Sequence, residues 1–386
     1  LIIIIVQNRP FLKRVGLMMN KNQITVVYGE NPREMVETLL AQLKPETALR
    51  PGATIGLKPN LVLDKPAASG ATTHPEIVEG IIRYFQAKGY SDLVIMESSW
   101  VGAATEEAFR VCGYRELAAQ YGVELVDLKK DRTIKKKGEY GEITVCTAPL
   151  AVDFLINLPV LKAHCQTLLT CALKNLKGCI PDHEKRRFHR LGLHEPIAQL
   201  AAVLPVHLTI VDAICGDLTF EEGGNPVPMG RLLAGTDPVL LDSYAASLLG
   251  LTAAEIPYLD LAAKLGVGTT DLTGAVVTEV NPEAKQAGGF RLSGRAKTLA
   301  RYVEERDACS ACYGSLIHAL HRMAEAGELE ALKYGNKKIK IGQGFRGEKG
   351  GGIGIGTCTR ALDDALTGCP PTAREIRAFL ERVLAD

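Results

Sequence analysis

Four cysteines near the C-terminal end of the chain constrain its fold more than any other feature, because all four must converge if they bind one group. Cys309 and Cys312 form a C-x2-C pair, Cys358 follows after a gap of 45 residues, and Cys369 precedes a proline. Four thiolates are the ligands of a cubane iron–sulfur cluster, and a Cys-Pro ligand is typical of bacterial ferredoxins. We therefore expect this cysteine tetrad to hold a [4Fe–4S] cluster. The alternatives are zinc, which accepts the same ligands, and cysteines that are unligated or paired in disulfides.

Glycine dominates the segment between the second and third of these cysteines, with eight glycines in residues 342–356. Residues without a side chain let backbone N–H groups approach a compact anion, which favours the cluster over zinc. The apolar spacing from Leu316 to Met323 predicts a helix that starts near Cys309 and Cys312. The positive N-terminal end of such a helix would stabilise thiolates. No internal repeat is evident in the chain.

The charge balance excludes several classes of partner. Lys and Arg number 45 against 44 Asp and Glu, so the formal charge is only +1 and no overall field attracts nucleic acid or an anionic membrane. Any anion site must therefore be local. Ten cysteines, six of them scattered outside the tetrad, suit a reducing compartment, so we expect a cytoplasmic protein.

The first residues are apolar only over Leu1–Val6, which is too short for a membrane span or a signal-peptide core. Because Met18 and Met19 directly precede a polar segment, we expect residues 1–19 to be an upstream extension. The first strand is then Gln23–Tyr28. An ordinary edge strand at the N-terminus is the alternative interpretation.

Short apolar runs alternate with helical patterns from Ile24 to about Leu272, which predicts an α/β fold with a mostly parallel sheet core and helices on both faces. Four of the runs end in polar residues. They are residues 54–58, leading to Asn60; 93–96, leading to Glu97 and Ser98; 154–158, leading to Lys162 and His164; and 208–211, leading to Asp212. Because ligands bind beyond the carboxyl ends of parallel strands, we expect these four strand ends to form the site. The alternative is that the polar residues cap helices or turns.

Residues 162–179 carry three lysines, one histidine and one asparagine in an otherwise apolar stretch, and they contain no acid. A solvated helix face would show charges of both signs, so this composition predicts a carboxylate- or phosphate-binding patch. Its polar members are Lys162, His164, Lys174, Asn175 and Lys177.

Two helix starts are marked by proline. Pro75 follows Thr73 and His74, and Pro238 follows Asp237, which we expect to be the N-cap. A histidine beside a helix N-terminus could help to bind an anion, although a structural role for His74 is the simpler interpretation. Further along, residues 182–195 look like an exposed loop and a helix start. Their His183, Glu184, His189 and His194 offer a weaker metal-binding alternative, because their spacing matches no usual zinc motif.

Five motifs in this order resemble the domain of unknown function 362 family. They are Lys58–Asn60, Thr72–Glu76, Asn157–His164, Leu169–Gly178 and Ile210–Ala213. The resemblance covers about residues 24–270 and implies a prokaryotic α/β domain, often joined to ferredoxin-like cysteine motifs, with no generally assigned reaction. This chain departs from the compact C-x2-C-x2-C-x3-C-P run of ferredoxins because its cysteines are widely split.

The expected domains are therefore the α/β domain at residues 20–285 and a small C-terminal cysteine-rich iron–sulfur domain at residues 295–386, with a linker near 281–293. The leading functional interpretation is an iron–sulfur oxidoreductase that transfers electrons to or from an anionic small molecule or cofactor, with a redox protein as a second partner. The alternatives are a non-redox isomerase, lyase or ligase with a structural cluster or zinc, and an accessory protein that binds a cluster or metal. The expected catalytic residues are His164, Lys162 and Glu97, and the expected substrate-binding residues are Asn60, Thr73, His74, Ser98, Lys174, Asn175, Lys177 and Asp212.

Overall fold

The computed structural model describes residues 20–221, 223–286, 290–292, 294–329 and 338–385. The predicted extension at residues 1–19 lies outside the described residues. Within them, no helix is long and apolar enough to cross a membrane.

The described part of the α/β domain contains twelve strands. In chain order they are β1 (Gln23–Tyr28), β2 (Ile55–Pro59), β3 (Leu93–Glu97), β4 (Glu124–Asp127), β5 (Thr133–Gly138), β6 (Gly141–Cys146), β7 (Phe154–Leu158), β8 (Lys162–His164), β9 (Leu168–Thr170), β10 (Leu208–Asp217), β11 (Pro226–Gly235) and β12 (Val276–Val280). Eight of them form one sheet in the order β12-β1-β11-β10-β7-β2-β3-β4, and β5–β6 and β8–β9 are separate antiparallel pairs.

Every neighbouring pair in the large sheet is parallel except those of β11, which runs antiparallel to both β1 and β10. The predicted mostly parallel sheet is therefore confirmed. Successive residues of a strand enter opposite cores, so that Leu155 belongs to one buried cluster and Ile156 to the other. A parallel sheet covered on both faces explains why all five residues of β2, β3 and β7 are buried.

The helices of this domain cover both faces of the sheet. They are α1 (Pro32–Leu43), α2 (Pro75–Ala87), α3 (Thr105–Val111), α4 (Tyr114–Tyr121), α5 (Ala148–Ala151), α6 (Ala172–Asn175), α7 (Asp182–Leu191), α8 (His194–Val203), α9 (Pro238–Leu248) and α10 (Pro257–Lys264). The predicted starts at Pro75 and Pro238 are confirmed, and the Asp237 carboxylate caps α9 by accepting hydrogen bonds from the N–H groups of Val239 and Leu240.

The prediction of an exposed loop at the beginning of residues 182–195 is wrong. These residues start with α7, and the side chains of Glu184, Lys185 and Phe188 are buried. The charged sequence of α7 hides this burial, because Lys185 has its acceptors on a distant segment of the chain.

The C-terminal region contains a second, smaller sheet of four parallel strands. Its elements are α11 (Arg295–Ala300), β13 (Val303–Glu305), α12 (Ser310–Glu325), β14 (Ile339–Ile341), β15 (Gly350–Ile355), β16 (Leu362–Leu366) and α13 (Ala373–Ala385). Only residues 342–349 connect β14 to β15, and only 356–361 connect β15 to β16. Such connections are shorter than the usual helical crossover between parallel strands.

The two short connections begin with the same structural unit, which corrects the expectation of no internal repeat. Ile339–Phe345 and Ile353–Thr359 both read Ile-x-Ile-Gly and continue into a 3-10 turn. The shared glycines, Gly342 and Gly356, have φ of +122° and +92°. Only glycine adopts these values readily, so each glycine permits the chain to turn sharply out of its strand.

One aromatic side chain joins the two regions. Phe220, in the loop after β10, belongs to the buried cluster of the C-terminal region together with Leu316 and Leu320 of α12. Its ring centroid lies 4.3 Å from that of His318 and 5.1 Å from that of His321. Because Phe220 is only 3% exposed, the loop is anchored in the core of the other region.

Replacing Phe220 with alanine should therefore destabilise the contact between the regions. Truncation of a buried phenylalanine typically costs about 3–5 kcal/mol, so we expect a lower midpoint of urea unfolding by circular dichroism. Phe220→Leu retains most of the apolar volume and should cause a smaller loss. Equal midpoints for Phe220→Ala and the unmodified protein would contradict this role.

Candidate functional site

A cleft of about 430 Å³ lies between the α/β core and the C-terminal region. The strands β10, β7, β2 and β3 are consecutive in the sheet, so their carboxyl ends meet at one edge, as the sequence predicts. The cleft is lined by Asn60, Val62, Glu97, Ser98, Trp100, Val101, Lys162, Thr170, Lys174, Asn175, Lys177, Gly178, Lys185, His189, Glu221, Gly314, Ser315, His318, Arg322 and Ala373.

A buried ion pair lies at the carboxyl ends of β2 and β3, next to the cleft. Lys58 Nζ donates to Glu97 Oε2 at 2.9 Å, and their side chains are 0% and 4% exposed. The Glu97 carboxylate also accepts hydrogen bonds from the backbone N–H groups of Leu61, at 3.0 Å, and Ser98, at 2.7 Å. The Glu97 carboxylate thus accepts hydrogen bonds from three donors, and these bonds fix the ends of the adjacent strands β2 and β3.

Glycine at position 178 is required by the same ion pair. A Cβ added to Gly178 would lie 1.8 Å from Glu97 Oε1 and 2.6 Å from Lys58 Cε. The segment that carries Lys174 and Lys177 can therefore approach the strand ends only because residue 178 has no side chain.

Lys162 and Asn60 lie together on the cleft wall. Lys162 is 1% exposed, and its Nζ donates to the carbonyl of Ala71 at 2.6 Å and to Asn60 Oδ1 at 3.4 Å. Thr73 does not line the cleft. Its hydroxyl accepts from the Asn60 N–H and donates to the Leu158 carbonyl, so Thr73 holds Asn60 in place.

Lys174 and His164 share one carboxylate. Lys174 Nζ lies 2.7 Å and His164 Nε2 lies 3.1 Å from Glu221 Oε2. Nδ1 of His164 accepts from the backbone N–H groups of Gln166 and Thr167 at 3.1 Å, so the proton of the imidazole is on Nε2. Burial, together with the charge of Lys174, lowers the pKa of His164 to about 4 and outweighs the opposite effect of Glu221. His164 is therefore neutral at pH 7 and orients Glu221 from behind the cleft.

Asp242 of α9 holds the short helix α6 in position. Its buried carboxylate accepts from the N–H groups of Ala172, at 2.6 Å, and Leu173, at 3.0 Å. These bonds satisfy the free N–H groups at the start of α6 and so orient the following Lys174 and Asn175. Asn175 Nδ2 in turn donates to Asn157 Oδ1 at 2.8 Å. Nothing in the local sequence around Asp242 predicts this role.

Lys177 differs from the other lysines of the cleft in its partner. Its Nζ lies 3.3 Å from Nε2 of His189, and no carboxylate or carbonyl contact is found for it in the described part of the chain. Burial, followed by repulsion from Lys174, lowers the pKa of Lys177 to about 7. Burial and the charge of Lys177 also hold the pKa of His189 well below its usual range, so this imidazole is neutral.

Lys185 is a functional candidate that the sequence does not reveal. Its ammonium group donates to the backbone carbonyls of Ser98, at 2.8 Å, and Ser99, at 2.6 Å, and lies 3.5 Å from Asp182 Oδ1. Burial lowers its pKa to about 8. Lys185 therefore connects α7 to the end of β3 and adds a fourth lysine to the cleft.

The charges that line the cleft do not balance. Four lysines line the cleft together with two carboxylates, and one of these, Glu97, already pairs with Lys58, which does not line the cleft. Arg322 also lines the cleft, but it pairs with Glu325 at 3.1 Å. The surplus is positive, so the cleft is suited to an anion. The sequence alone misses Arg322, Glu221 and His189, because they come from distant segments.

His74 and Asp212, two further predicted site residues, lie outside this lining, as Thr73 and His164 do. His74 Nδ1 is 2.7 Å from Asp212 Oδ2, and the same oxygen accepts from the His74 N–H at 2.9 Å. Burial opposes protonation of His74, but the charge of Asp212 prevails and raises its pKa. The pair connects the start of α2 to β10 as a structural contact beside the cleft.

The metal alternative within residues 182–195 is not supported by the geometry. His189 contacts Lys177, Glu184 pairs with Arg187, and the ring of His194 stacks on Tyr258 with centroids 6.1 Å apart. Among the described residues, no group of three or more His, Cys, Asp or Glu side chains is placed to hold a metal ion.

The members of the cysteine tetrad lie at one edge of the small parallel sheet. Cys358 and Cys369 each follow a strand end by three residues, and the last residues of those strands, Ile355 and Leu366, are paired. Cys309 follows the end of β13, and Cys312 lies in the first turn of α12, as predicted. The parallel register therefore brings residues that are far apart in sequence to the same edge.

Burial and the charges of neighbouring cysteines raise the pKa values of Cys309 and Cys312. Burial, followed by the charges of the other three cysteines, raises the pKa of Cys312 to about 12. Burial also raises the pKa of Cys309, while the charges of Arg190 and Arg346 oppose this rise. Among the described residues, the tetrad does not form a group that is placed to hold a metal ion. The cluster and the zinc alternative both stay predictions.

The fold and cleft define an α/β protein with a cationic site at the carboxyl edge of its sheet. Residues 55–247 match the family described as domain of unknown function 362 (DUF362), which is half of the chain. The chain therefore belongs to this family, and the resemblance noted in the sequence is confirmed.

The chain is also similar, over part of its length, to several individual proteins. The "Thylakoid-associated protein sll1697" of Synechocystis is 28% identical over 235 residues, which are 58% of this chain and 71% of that protein. The lactate racemase apoprotein from Thermoanaerobacterium thermosaccharolyticum has a TM-score of 0.39 at 11% identity and covers 59% of this chain. A Thermotoga maritima protein has a TM-score of 0.38 at 12% identity and covers 61%. The chain spans 57% and 60% of these two structures.

Lys58→Met should destabilise the fold strongly, because it leaves the Glu97 carboxylate buried without its cation. Breaking a buried pair in this way typically costs about 3–5 kcal/mol, which urea unfolding would measure. Lys264→Met is the matched control, since Lys264 and Asp260 form an exposed pair, and it should leave the unfolding midpoint unchanged. Equal effects of the two substitutions would show that the buried pair has no special role.

Proposed function

We propose that the protein is an enzyme that binds a small carboxylate- or phosphate-bearing molecule in the cleft and exchanges electrons with it. The observation that carries this proposal is the surplus of buried cations at the carboxyl edge of the sheet. Buried ammonium groups are costly unless they are paired, and an anionic ligand would supply the missing charge. Lys162, Lys174 and Lys185 are the buried charge partners, while Asn60 and Asn175 offer neutral hydrogen bonds that would orient the ligand.

The tetrad Cys309, Cys312, Cys358 and Cys369 would hold a [4Fe–4S] cluster, which supplies single electrons. Two features support this assignment: the common sheet edge, and the charges of Arg190 and Arg346 close to Cys309. Both a cluster and ten free thiols suit a reducing compartment, so a cytoplasmic location is part of the proposal.

The position of α12 supports a connection between the tetrad and the cleft. Cys312 is in its first turn, and Ser315, His318 and Arg322 of the same helix line the cleft. Cys312 and Ser315 are separated by only about 4.5 Å along the helix axis. The C-terminal region therefore forms part of the wall of the anion site.

A second candidate is a non-redox enzyme in which the C-terminal region only completes the cleft. The observation that favours it is Lys177, a half-buried amine in the cleft whose pKa is lowered to about 7. Such an amine is suited to proton transfer or covalent chemistry without any change of oxidation state.

Cys358→Ser should remove most of the iron from anaerobically purified protein, because one of the four cluster ligands is lost. Metal analysis and the absorbance near 400 nm would measure this, and a reversible bleach with dithionite would favour a redox role. Cys215→Ser, outside the tetrad, is the control and should leave iron unchanged. Full occupancy by zinc, or equal iron in both variants, would contradict the cluster assignment.

Lys174→Ala should weaken anion binding, because it removes a buried cation from the cleft wall. The expected loss is about 2–5 kcal/mol in binding free energy. Trp100 is the only tryptophan in the sequence and lines the cleft, so its fluorescence reports titrations with phosphate and with small carboxylic acids. Lys264→Ala is the control. Unchanged affinity in Lys174→Ala would show that the cleft is not the anion site.

A further inference from the structure

We propose that Lys177 is a nucleophile that forms an imine with a 2-oxo acid bound in the cleft. This inference rests on the proposed anion site and names the class of its substrate. Lys177 is distinguished from its neighbours by its contacts. Lys162 donates to Asn60 and Ala71, Lys174 to Glu221, and Lys185 to the Ser98 and Ser99 carbonyls. The hydrogen-bond partner of Lys177 among the described residues is instead the imidazole of His189.

The charges around Lys177 favour its neutral form. From its own segment it faces Lys174, and from α7 it faces Lys185 and His189; Glu221 faces it from the loop after β10, and Arg322 and His318 of α12 line the same cleft. The carboxylate of Glu221 is already shared by Lys174 and His164. A lysine that is desolvated beside other cations loses its proton easily, which is a known way to activate an amine.

The spacing of the two lysines indicates the substrate. Lys174 and Lys177 are three residues apart across α6 and the following 3-10 turn at Leu176–Cys179. Side chains at this spacing lie on the same face of a helical turn, and both line the cleft. A carboxylate bound by Lys174, Lys162 and Asn60 would place a directly bonded carbonyl carbon beside Lys177. A carboxylate attached to a carbonyl is the defining group of a 2-oxo acid.

The reaction is balanced without an oxidant or reductant. The Lys177 nitrogen bonds to the carbonyl carbon, and one of its protons passes to the carbonyl oxygen to give a carbinolamine. The carbon–oxygen bond then breaks, the oxygen leaves as water, and the nitrogen loses its second proton. The products are the imine of Lys177 and one water molecule. The cationic lining would stabilise the bound carboxylate throughout.

Reductive trapping tests the inference. The full-length protein, purified anaerobically, is incubated with glyoxylate, pyruvate, oxaloacetate or 2-oxoglutarate and sodium cyanoborohydride. Peptide mass spectrometry then locates the adduct. We expect labelling at Lys177 at least tenfold faster than at Lys264, and a rate that rises with pH around a midpoint of about 7. An ordinary lysine would titrate near 10.4.

Lys177→Arg places a permanent cation of similar length at this position and cannot form an imine, so it should lose the adduct while remaining folded by circular dichroism. Trp100 fluorescence, recorded without reductant, reports binding of the same acids separately. Binding without a Lys177 adduct would overturn the imine and leave the anion site intact. Absence of any binding would overturn both. Labelling only by aldehyde phosphates such as pyridoxal phosphate, or equal labelling of exposed lysines, would overturn the assignment to 2-oxo acids.

Discussion

One buried ion pair, between Lys58 on β2 and Glu97 at the end of β3, determines the arrangement on which the cleft depends. It connects the ends of two adjacent strands, and the remaining acceptor capacity of the carboxylate is filled by the N–H groups of Leu61 and Ser98. The directions in which both chains leave the sheet are therefore fixed. Desolvation limits the net stability that a buried pair adds, yet loss of one partner is costly. The main contribution of the pair is therefore to fix the geometry of the two strand ends. The absence of a side chain at Gly178 follows from it directly.

Much of the fold could be predicted from local pattern, because a parallel strand buried on both faces is mostly apolar. Residues 93–96 and 154–158 show this pattern and form β3 and β7. The polar residues after them mark the strand ends, which is why Asn60, Glu97 and Lys162 could be assigned to one edge. By contrast, β11 runs against its neighbours, and its direction depends on pairing with β1 and β10 rather than on its composition.

The residues that the sequence failed to reveal are those whose partners are remote. Lys185 lies in a strongly charged helix, and such a composition predicts a solvent-exposed face. Its acceptors, the carbonyls of Ser98 and Ser99, instead come from the end of β3. Arg322 enters the cleft only because α12 packs over the core. His164 was expected to exchange protons, but the two backbone N–H groups at its Nδ1 commit it to one tautomer. Cysteine spacing predicts the four members of the tetrad, and their role as ligands stays a prediction; the parallel register that brings them to one sheet edge was not predictable.

Phe220 and Glu221 are adjacent in sequence but serve different regions: the aromatic ring is buried against α12, and the carboxylate balances Lys174 beside His164. A shift of α12 that moves the ring must also move the carboxylate, since one peptide bond joins them. The position of α12 and the position of the Glu221 carboxylate beside Lys174 are therefore not independent. The C-terminal region contributes to the charge of the cleft through a residue that it does not itself contain.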